Sequence, residues 1–218
     1  MVVTITVRGP EWFFGVDSLF EGFAALAAIL ITLFSIKAYR FTKDRRYLTF
    51  ALGFGLMAWG QVSRAIADLL VYLGAEVHPI WLLGSYAGYM GLTLIAFLVL
   101  FALTLKAQQR APLVALTLIA FVGVLLSSSY RMAFHSMSFI LLAFIAFHFI
   151  RNYFAKKSLT ALLVCGSFIG LALTQVAFIF DILQHRFYIV GHLIHLAAFA
   201  LLFVALLKVK VLVKARRK

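Results

Sequence analysis

Seven apolar runs, each near the length that a lipid bilayer demands of a helix, take up almost the whole of this 218-residue chain. A hydrocarbon core about 30 Å thick needs about 20 helical residues, and inside it every backbone N–H and C=O has to be satisfied within the segment, which a helix does. Clusters of charged and turn-forming residues divide the runs at about 17–39, 46–73, 79–105, 111–128, 131–152, 158–183 and 187–213. The sequence therefore predicts an all-α integral membrane protein, a seven-transmembrane-helix bundle over 17–213, with an exposed tail over 1–16 and a basic tail over 214–218. The fourth run is the shortest and ends in Ser127, Ser128 and Ser129, so it crosses with little tilt or stops short of the outer surface. With 65% hydrophobic and 12% charged residues the chain has too little polar surface for a separate soluble domain.

The distribution of Lys and Arg sets the expected orientation, because positively charged loops stay cytoplasmic during insertion. The first, third and fifth connections and the tail after the last run hold sixteen of the twenty basic residues, among them Lys37, Arg40, Arg46, Arg110, Lys157 and Lys214. Arg8, Arg131 and Arg186 fall on the other side, and Arg64 lies within a run. An odd number of spans then places the N-terminus outside, the C-terminus in the cytoplasm, and the chain in the cell membrane as a multi-pass protein. The net charge of +13 is explained by a bilayer with an anionic cytoplasmic leaflet and asks for no nucleic acid. Of the acidic residues only Asp44 falls inside; Glu11, Asp17, Glu21, Asp68, Glu76 and Asp181 fall toward the outside. The start lacks the basic region and apolar run of a cleavable signal.

Aromatic residues at the expected interfaces read as anchors: Trp12, Trp81, Tyr130 and Tyr188 outside, Tyr39, Tyr47 and Tyr153 inside. Gly84 with Gly88 and Gly166 with Gly170 put small residues one turn apart and predict close helix contacts within the chain. Cys165, the single cysteine, lies in an apolar run and reads as a small buried hydrophobe. No internal repeat of the kind built into many transporters is visible.

An ionisable group within a span is costly and marks a functional candidate. Glu21, Arg64, Asp68, His135, Asp181, His192 and His195 all fall in the outer half, whereas His148 falls near the inner surface. Gln61, Arg64 and Asp68 share a helix face, with Arg64 in reach of Asp68. His192 and His195 share another face, as do His135 with Ser138 and Thr174 with Asp181. The arrangement that hides all these faces from lipid is one polar cavity between helices, open or nearly open to the outside, with Glu21, Gln61, Arg64, Asp68, His135, Asp181, His192 and His195 as its ligand-binding residues. The plain alternative is that each residue satisfies a neighbour, with Arg64 neutralised by Asp68 or Glu21.

Four chemistries compete for that set. Arg64 as a fixed charge with the histidines as pH-responsive donors would recognise a small ligand or ion, as a sensor or receptor does. His135 and His148 on one run, and His192 and His195 on another, invite an axial haem, although two haems would leave His148 unpaired. His135, Asp181, His192 and His195 would be the ligands of a zinc ion in an intramembrane lipid hydrolase. In that respect the chain resembles the ceramidase and adiponectin-receptor superfamily, but its last-run histidines are three apart where that superfamily has four, and Gln61, Ser63 and Arg64 stand where it has a second-helix histidine. Finally, His148 near one surface and His135 and His195 near the other would be the two ends of a proton or solute route. Neither haem nor zinc is favoured, and an enzyme is disfavoured because no acid, base and nucleophile have a recognisable spacing.

Two stretches carry a further resemblance: Lys37 to Arg46 leading into a run with Ser63, Arg64 and Ala65, and Gly191-His192 through Phe199 to Lys208 and Val209. They resemble uncharacterised prokaryotic, especially archaeal, seven-helix membrane proteins and the membrane sensor domains that precede histidine kinases. The resemblance implies a sensory or accessory membrane module. With no kinase or cyclase after Lys218, signalling would pass to a separate cytoplasmic or membrane partner. Microbial rhodopsins share the topology, but the last run has no mid-depth lysine for a retinal Schiff base.

Overall fold

The computed structural model describes residues 10–13, 15–73, 79–104 and 130–215. Over them the chain forms a single-turn 3-10 helix, Glu11–Phe13, and six long α-helices: α1 Val16–Thr42, α2 Arg45–Tyr72, α3 Pro79–Thr104, α4 Tyr130–Lys156, α5 Leu159–Phe180 and α6 Arg186–Ala215. The fourth expected run, 111–128, with Ser127, Ser128 and Ser129, lies outside the described residues, as do Arg8, Glu76, Lys106 and Arg110.

The same device ends α1 and α4. Lys43 and Lys157 take left-handed backbone angles, φ 57° and 45°, and their N–H groups donate to the carbonyls of Tyr39 at 2.8 Å and Tyr153 at 2.7 Å, closing the last turn. The next residue caps the following helix. Asp44 accepts from the N–H of Arg46 at 2.9 Å and Ser158 from the N–H of Ala161 at 3.2 Å, each satisfying a donor that a helix start leaves free. Two residues thus reverse the chain at each site and hold α1 against α2 and α4 against α5. At the opposite end, α5 stops at Phe180 and residues 181–183 form a turn. Asp181 therefore stands at a helix terminus, where the expected run extended to 183.

Each described helix packs on its neighbour in the chain, and α6 returns to pack on α1. The six consequently form a closed ring, with α3 and α4 in direct contact. Phe54, Phe134, Phe168, Phe199, Leu142 and Ile145 fill its middle, fully buried. Where the outer solvent is as apolar as the core, close packing rather than hydrophobic expulsion holds helices together, and small residues make that possible. Ala24, Ala27 and Ala28 give α1 a smooth buried face. A Cβ on Gly53 would lie 3.0 Å from Leu100, one on Gly60 3.3 Å from the Tyr89 carbonyl, and one on Gly170 3.0 Å from the Cβ of Ala198. Gly166 and Gly170 thus serve the α5–α6 contact as expected. At Gly84 and Gly88 nothing among the described residues lies within 4 Å of a Cβ. The α2–α3 approach uses Gly53 and Gly60 instead, two turns apart on the other helix.

Five of the six helices are long and apolar enough to cross a membrane. The remaining one, α2, has 28 residues, ample for a crossing at 1.5 Å per residue, but carries Arg45, Arg46, Arg64 and Asp68. Leu26, Leu33, Leu52, Trp59, Phe144, Phe147 and Leu173 face outward and are exposed. A skin of that kind suits lipid, not water, so this is a membrane-spanning helical protein. Arg40, Lys43, Arg45, Arg46, Arg151, Lys156 and Lys157 all gather at one end of the bundle, called here the basic end. Opposite it is the polar end, where α1, α3, α4 and α6 begin and α2 and α5 finish.

Candidate functional site

One arginine organises the polar end. Arg64, on α2, sets its Nε 2.6 Å from Oε1 of Glu21 on α1 and 3.4 Å from Oδ2 of Asp68 one turn along its own helix. Asp68 also accepts, through Oδ1, a hydrogen bond from the hydroxyl of Tyr86 on α3. The guanidinium lies over the ring of Tyr89, also on α3, at 5.0 Å, and reaches Phe178 of α5 at 6.0 Å, aromatic faces that favour a cation. A single side chain therefore ties α1, α2, α3 and α5 together. Only 12% of Arg64, 2% of Glu21 and 9% of Asp68 remains accessible, so these residues form a nearly closed cluster.

Beside it α6 supplies two histidines. The Gln61 amide donates to Nε2 of His195 at 3.3 Å, which ties α2 to α6 and leaves Nδ1 of His195 to carry the proton of a neutral ring. That Nδ1, the Oε1 of Gln61 and the Nε2 of His192 are buried without a hydrogen-bond partner among the described residues. His192 is caged by aromatic rings, Tyr188 at 4.5 Å, Phe178 at 5.2 Å and Phe13 at 5.8 Å. Tyr188 in turn donates its hydroxyl to Asp17 at 2.9 Å. The Asp17 carboxylate also accepts from the N–H of Gly15 at 3.0 Å and of Ser18 at 2.8 Å, capping α1 from inside its first turn.

The remaining candidates stand apart. Asp181 pairs with Arg131 of α4, not with Arg64. The imidazole of His135 donates from Nδ1 to Oε1 of Gln175 at 2.8 Å and packs on Phe134 and Phe178. His148 is exposed on α4, away from the other candidates. The eight candidates thus divide: Glu21, Gln61, Arg64, Asp68 and His195, with His192 adjoining, form one cluster, whereas His135 and Asp181 belong to a second on α4 and α5. Phe178 connects them by its ring alone.

This division bears on the metal and haem readings. Among the described residues no three of His, Cys, Asp or Glu gather to hold a metal ion, because Asp181 is held by Arg131 and His135 by Gln175. Phe178 packs against both His135 and His192 at 5.2 Å, so a phenyl ring takes the space that a haem held between those imidazoles would need. The described residues thus offer zinc no such set, and leave His135 and His192 no room for a haem between them.

Several members were not evident from the sequence. Tyr188 reads as an interfacial anchor but is buried, 6% exposed, with its hydroxyl turned to Asp17. Phe13, within the tail expected to be exposed, is buried and sits edge-on to Tyr188 at 6.0 Å and Phe20 at 5.9 Å, so this residue packs into the polar end of the bundle. Tyr86 and Tyr89 lie three apart on α3 and so share a face, a signal available from the sequence but submerged among eight tyrosines. Trp12, Trp81 and Tyr130 are exposed, as anchors should be.

Residues 19–100 match the model of a family of unknown function (DUF7521). The match takes in the charged members of the Arg64 cluster, Glu21, Arg64 and Asp68, with Tyr86 and Tyr89, and leaves His135, His192, His195 and Asp181 outside it. No curated protein and no solved structure matches the chain.

Proposed function

We propose that this protein is a seven-span membrane protein, N-terminus outside and C-terminus in the cytoplasm, that works as a receptor-like sensory module whose responsive element is the cluster around Arg64. The orientation rests on the basic end: exposed Arg40, Lys43, Arg45, Arg46, Lys156 and Lys157 lie where an anionic cytoplasmic leaflet attracts them. The polar end then faces outward. A signalling partner meets the basic face from the cytoplasm.

The observation that carries the sensory reading is the sharing of one guanidinium nitrogen by carboxylates of two helices, with a third helix hydrogen-bonded to one of them. Any small ion or ligand that changes charge in this cluster alters the balance of forces among α1, α2 and α3. A ligand shifts a conformational equilibrium only by its differential affinity for the two arrangements, and an interhelical charge junction supplies such a difference. The chain's unpartnered buried groups next to it, Gln61 Oε1, His195 Nδ1 and His192 Nε2, give an arriving species polar atoms to engage.

The reading is tested by distance measurement. Spin labels at Leu19 on α1 and Leu83 on α3, both exposed, report the separation of those helices in lipid nanodiscs as pH and the concentrations of sodium, potassium and ammonium chloride are varied. The sensory reading expects two distance populations that exchange with at least one of these probes and collapse to one in Arg64→Gln. A single unchanging population under every condition would rule it out.

A further inference from the structure

The Arg64 cluster does not balance its charge. Two carboxylates, Glu21 and Asp68, face one guanidinium, and all three are at least nine-tenths buried or close to it. An uncompensated anion in a low-dielectric interior is expensive, so a positive charge must complete the site. The described surroundings offer none. Arg131, the other buried-side arginine of the polar end, is committed to Asp181. Tyr86 and Tyr89 on α3 and Tyr188 on α6 bring neutral hydroxyls. His195 accepts from Gln61 at Nε2 and so is already the neutral form, and His192 stands among three aromatic rings.

Asp17, the third carboxylate nearby, is provided for separately. Two backbone N–H groups and the Tyr188 hydroxyl donate to it, an arrangement that stabilises a carboxylate without a cation. Glu21 has no such shell. Among the described residues its Oε2 is buried with no partner at all, and Oε1 of Glu21 and Oδ2 of Asp68 have only their ion-pair contacts with Arg64. Oε1 of Glu21 and Oδ2 of Asp68 converge on the same nitrogen of Arg64, at 2.6 Å and 3.4 Å. One missing hydrogen accounts for the unpartnered oxygen and for the charge.

We infer that Glu21 and Asp68 hold a single proton between them, so that the cluster is a proton-binding site in which one carboxyl donates to the other and Arg64 balances the charge that remains. Like-charged carboxyls forced together share a proton for this reason. The inference rests on the Arg64 cluster being the responsive element and names the proton as the species it binds. Removal of that proton leaves two carboxylates on one guanidinium, pushing α1 away from α2; return of the proton restores the contact. Ser18, three residues before Glu21 on the same face of α1, is buried with its hydroxyl unpartnered, and provides the next polar step toward the polar end.

Infrared spectroscopy of the full chain in nanodiscs of neutral lipid decides the matter. At neutral pH the wild type should show a protonated-carboxyl C=O stretch that shifts in D2O. Both Glu21→Gln and Asp68→Asn should abolish it, because either leaves one carboxylate to balance Arg64 and no need for the proton. Arg64→Gln, if it folds, should strengthen the band as the second carboxyl is neutralised too. Absence of the band in the wild type, or its persistence in either single variant, overturns the shared proton. Thermal stability that rises saturably with sodium or potassium chloride, in a wild type without the band, assigns the missing charge to a metal cation and also overturns it. The band together with unmoved spin-label distances sustains the proton site while defeating the sensory reading; moving distances without the band do the reverse.

Discussion

Two arginines at the same end of the bundle are treated differently. Arg131 meets one carboxylate, Asp181, at the tip of α4 and α5, with 30% of its side chain accessible. Arg64 lies deeper, 12% accessible, between two carboxylates from two helices and under the ring of Tyr89. The first pair is balanced, with its carboxylate buried and its guanidinium partly open to the surroundings, and it fastens two neighbouring helix ends. The second is unbalanced and shielded, so its energy depends on the protonation or occupancy of the site. Position and stoichiometry, not residue type, separate a staple from a responsive element.

Breaking the buried junction should have the largest effect. Arg64→Gln removes the one cation that the described residues set against two buried carboxylates, and breaking a buried ion pair on one side costs about 3–5 kcal/mol. Urea or thermal unfolding in detergent should therefore show a large loss of stability. Next comes Tyr188→Phe, which deprives Asp17 of one of its three donors. Hydrogen bonds to charged groups are worth about 1.5–3 kcal/mol, and the two N–H donors that remain put the expected loss near the lower figure. The smallest effect belongs to the balanced pair. A double-mutant cycle of Arg131→Gln and Asp181→Asn should give a coupling of about 1 kcal/mol or less, as partly exposed ion pairs do, and it should weaken with salt. A coupling there as strong as that at Arg64 would erase the distinction between the two arginines.

Much of this architecture is legible in the chain itself. The lengths of the apolar runs find five of the described helices as spans and α2 as a sixth helix, because period and length are local properties. The Arg64–Asp68 contact follows from a spacing of four on one helix. Glu21 as an alternative partner follows from depth, given that α1 and α2 are joined by two residues. What depth does not reveal is azimuth. Asp181 and Arg64 both belong to the polar end, yet Asp181 stands at the tip of α5, faces α4 and meets Arg131. His135 likewise turns to Gln175 on α5 rather than to the histidines of α6. Which faces of distant helices meet is decided by the closure of the ring, through contacts such as Gly170 on Ala198 and Gly60 on the Tyr89 carbonyl. Tyr188 and Phe13 were obscured for another reason. Aromatic residues at a membrane surface anchor by default, and only the approach of Asp17 to α6 turns the Tyr188 hydroxyl inward.

The histidines gain a plainer role from the same comparison. His195 and His135 each meet a glutamine, at 3.3 Å and 2.8 Å, and these pairs join α2 to α6 and α4 to α5. They are interhelical polar contacts of the kind that hold helices together where lipid offers no hydrophobic drive.

The most direct test of the central claim is a double-mutant cycle between Glu21→Gln and Arg64→Gln, read by reversible unfolding and run beside a control cycle between Glu21→Gln and Arg131→Gln. Residues joined in one buried charge network couple by about 0.5–3 kcal/mol. The account predicts a value in the upper part of that range for Glu21 with Arg64, with Glu21→Gln recovering part of what Arg64→Gln loses, and a value near zero for Glu21 with Arg131. Additive losses at Glu21 and Arg64 would contradict it.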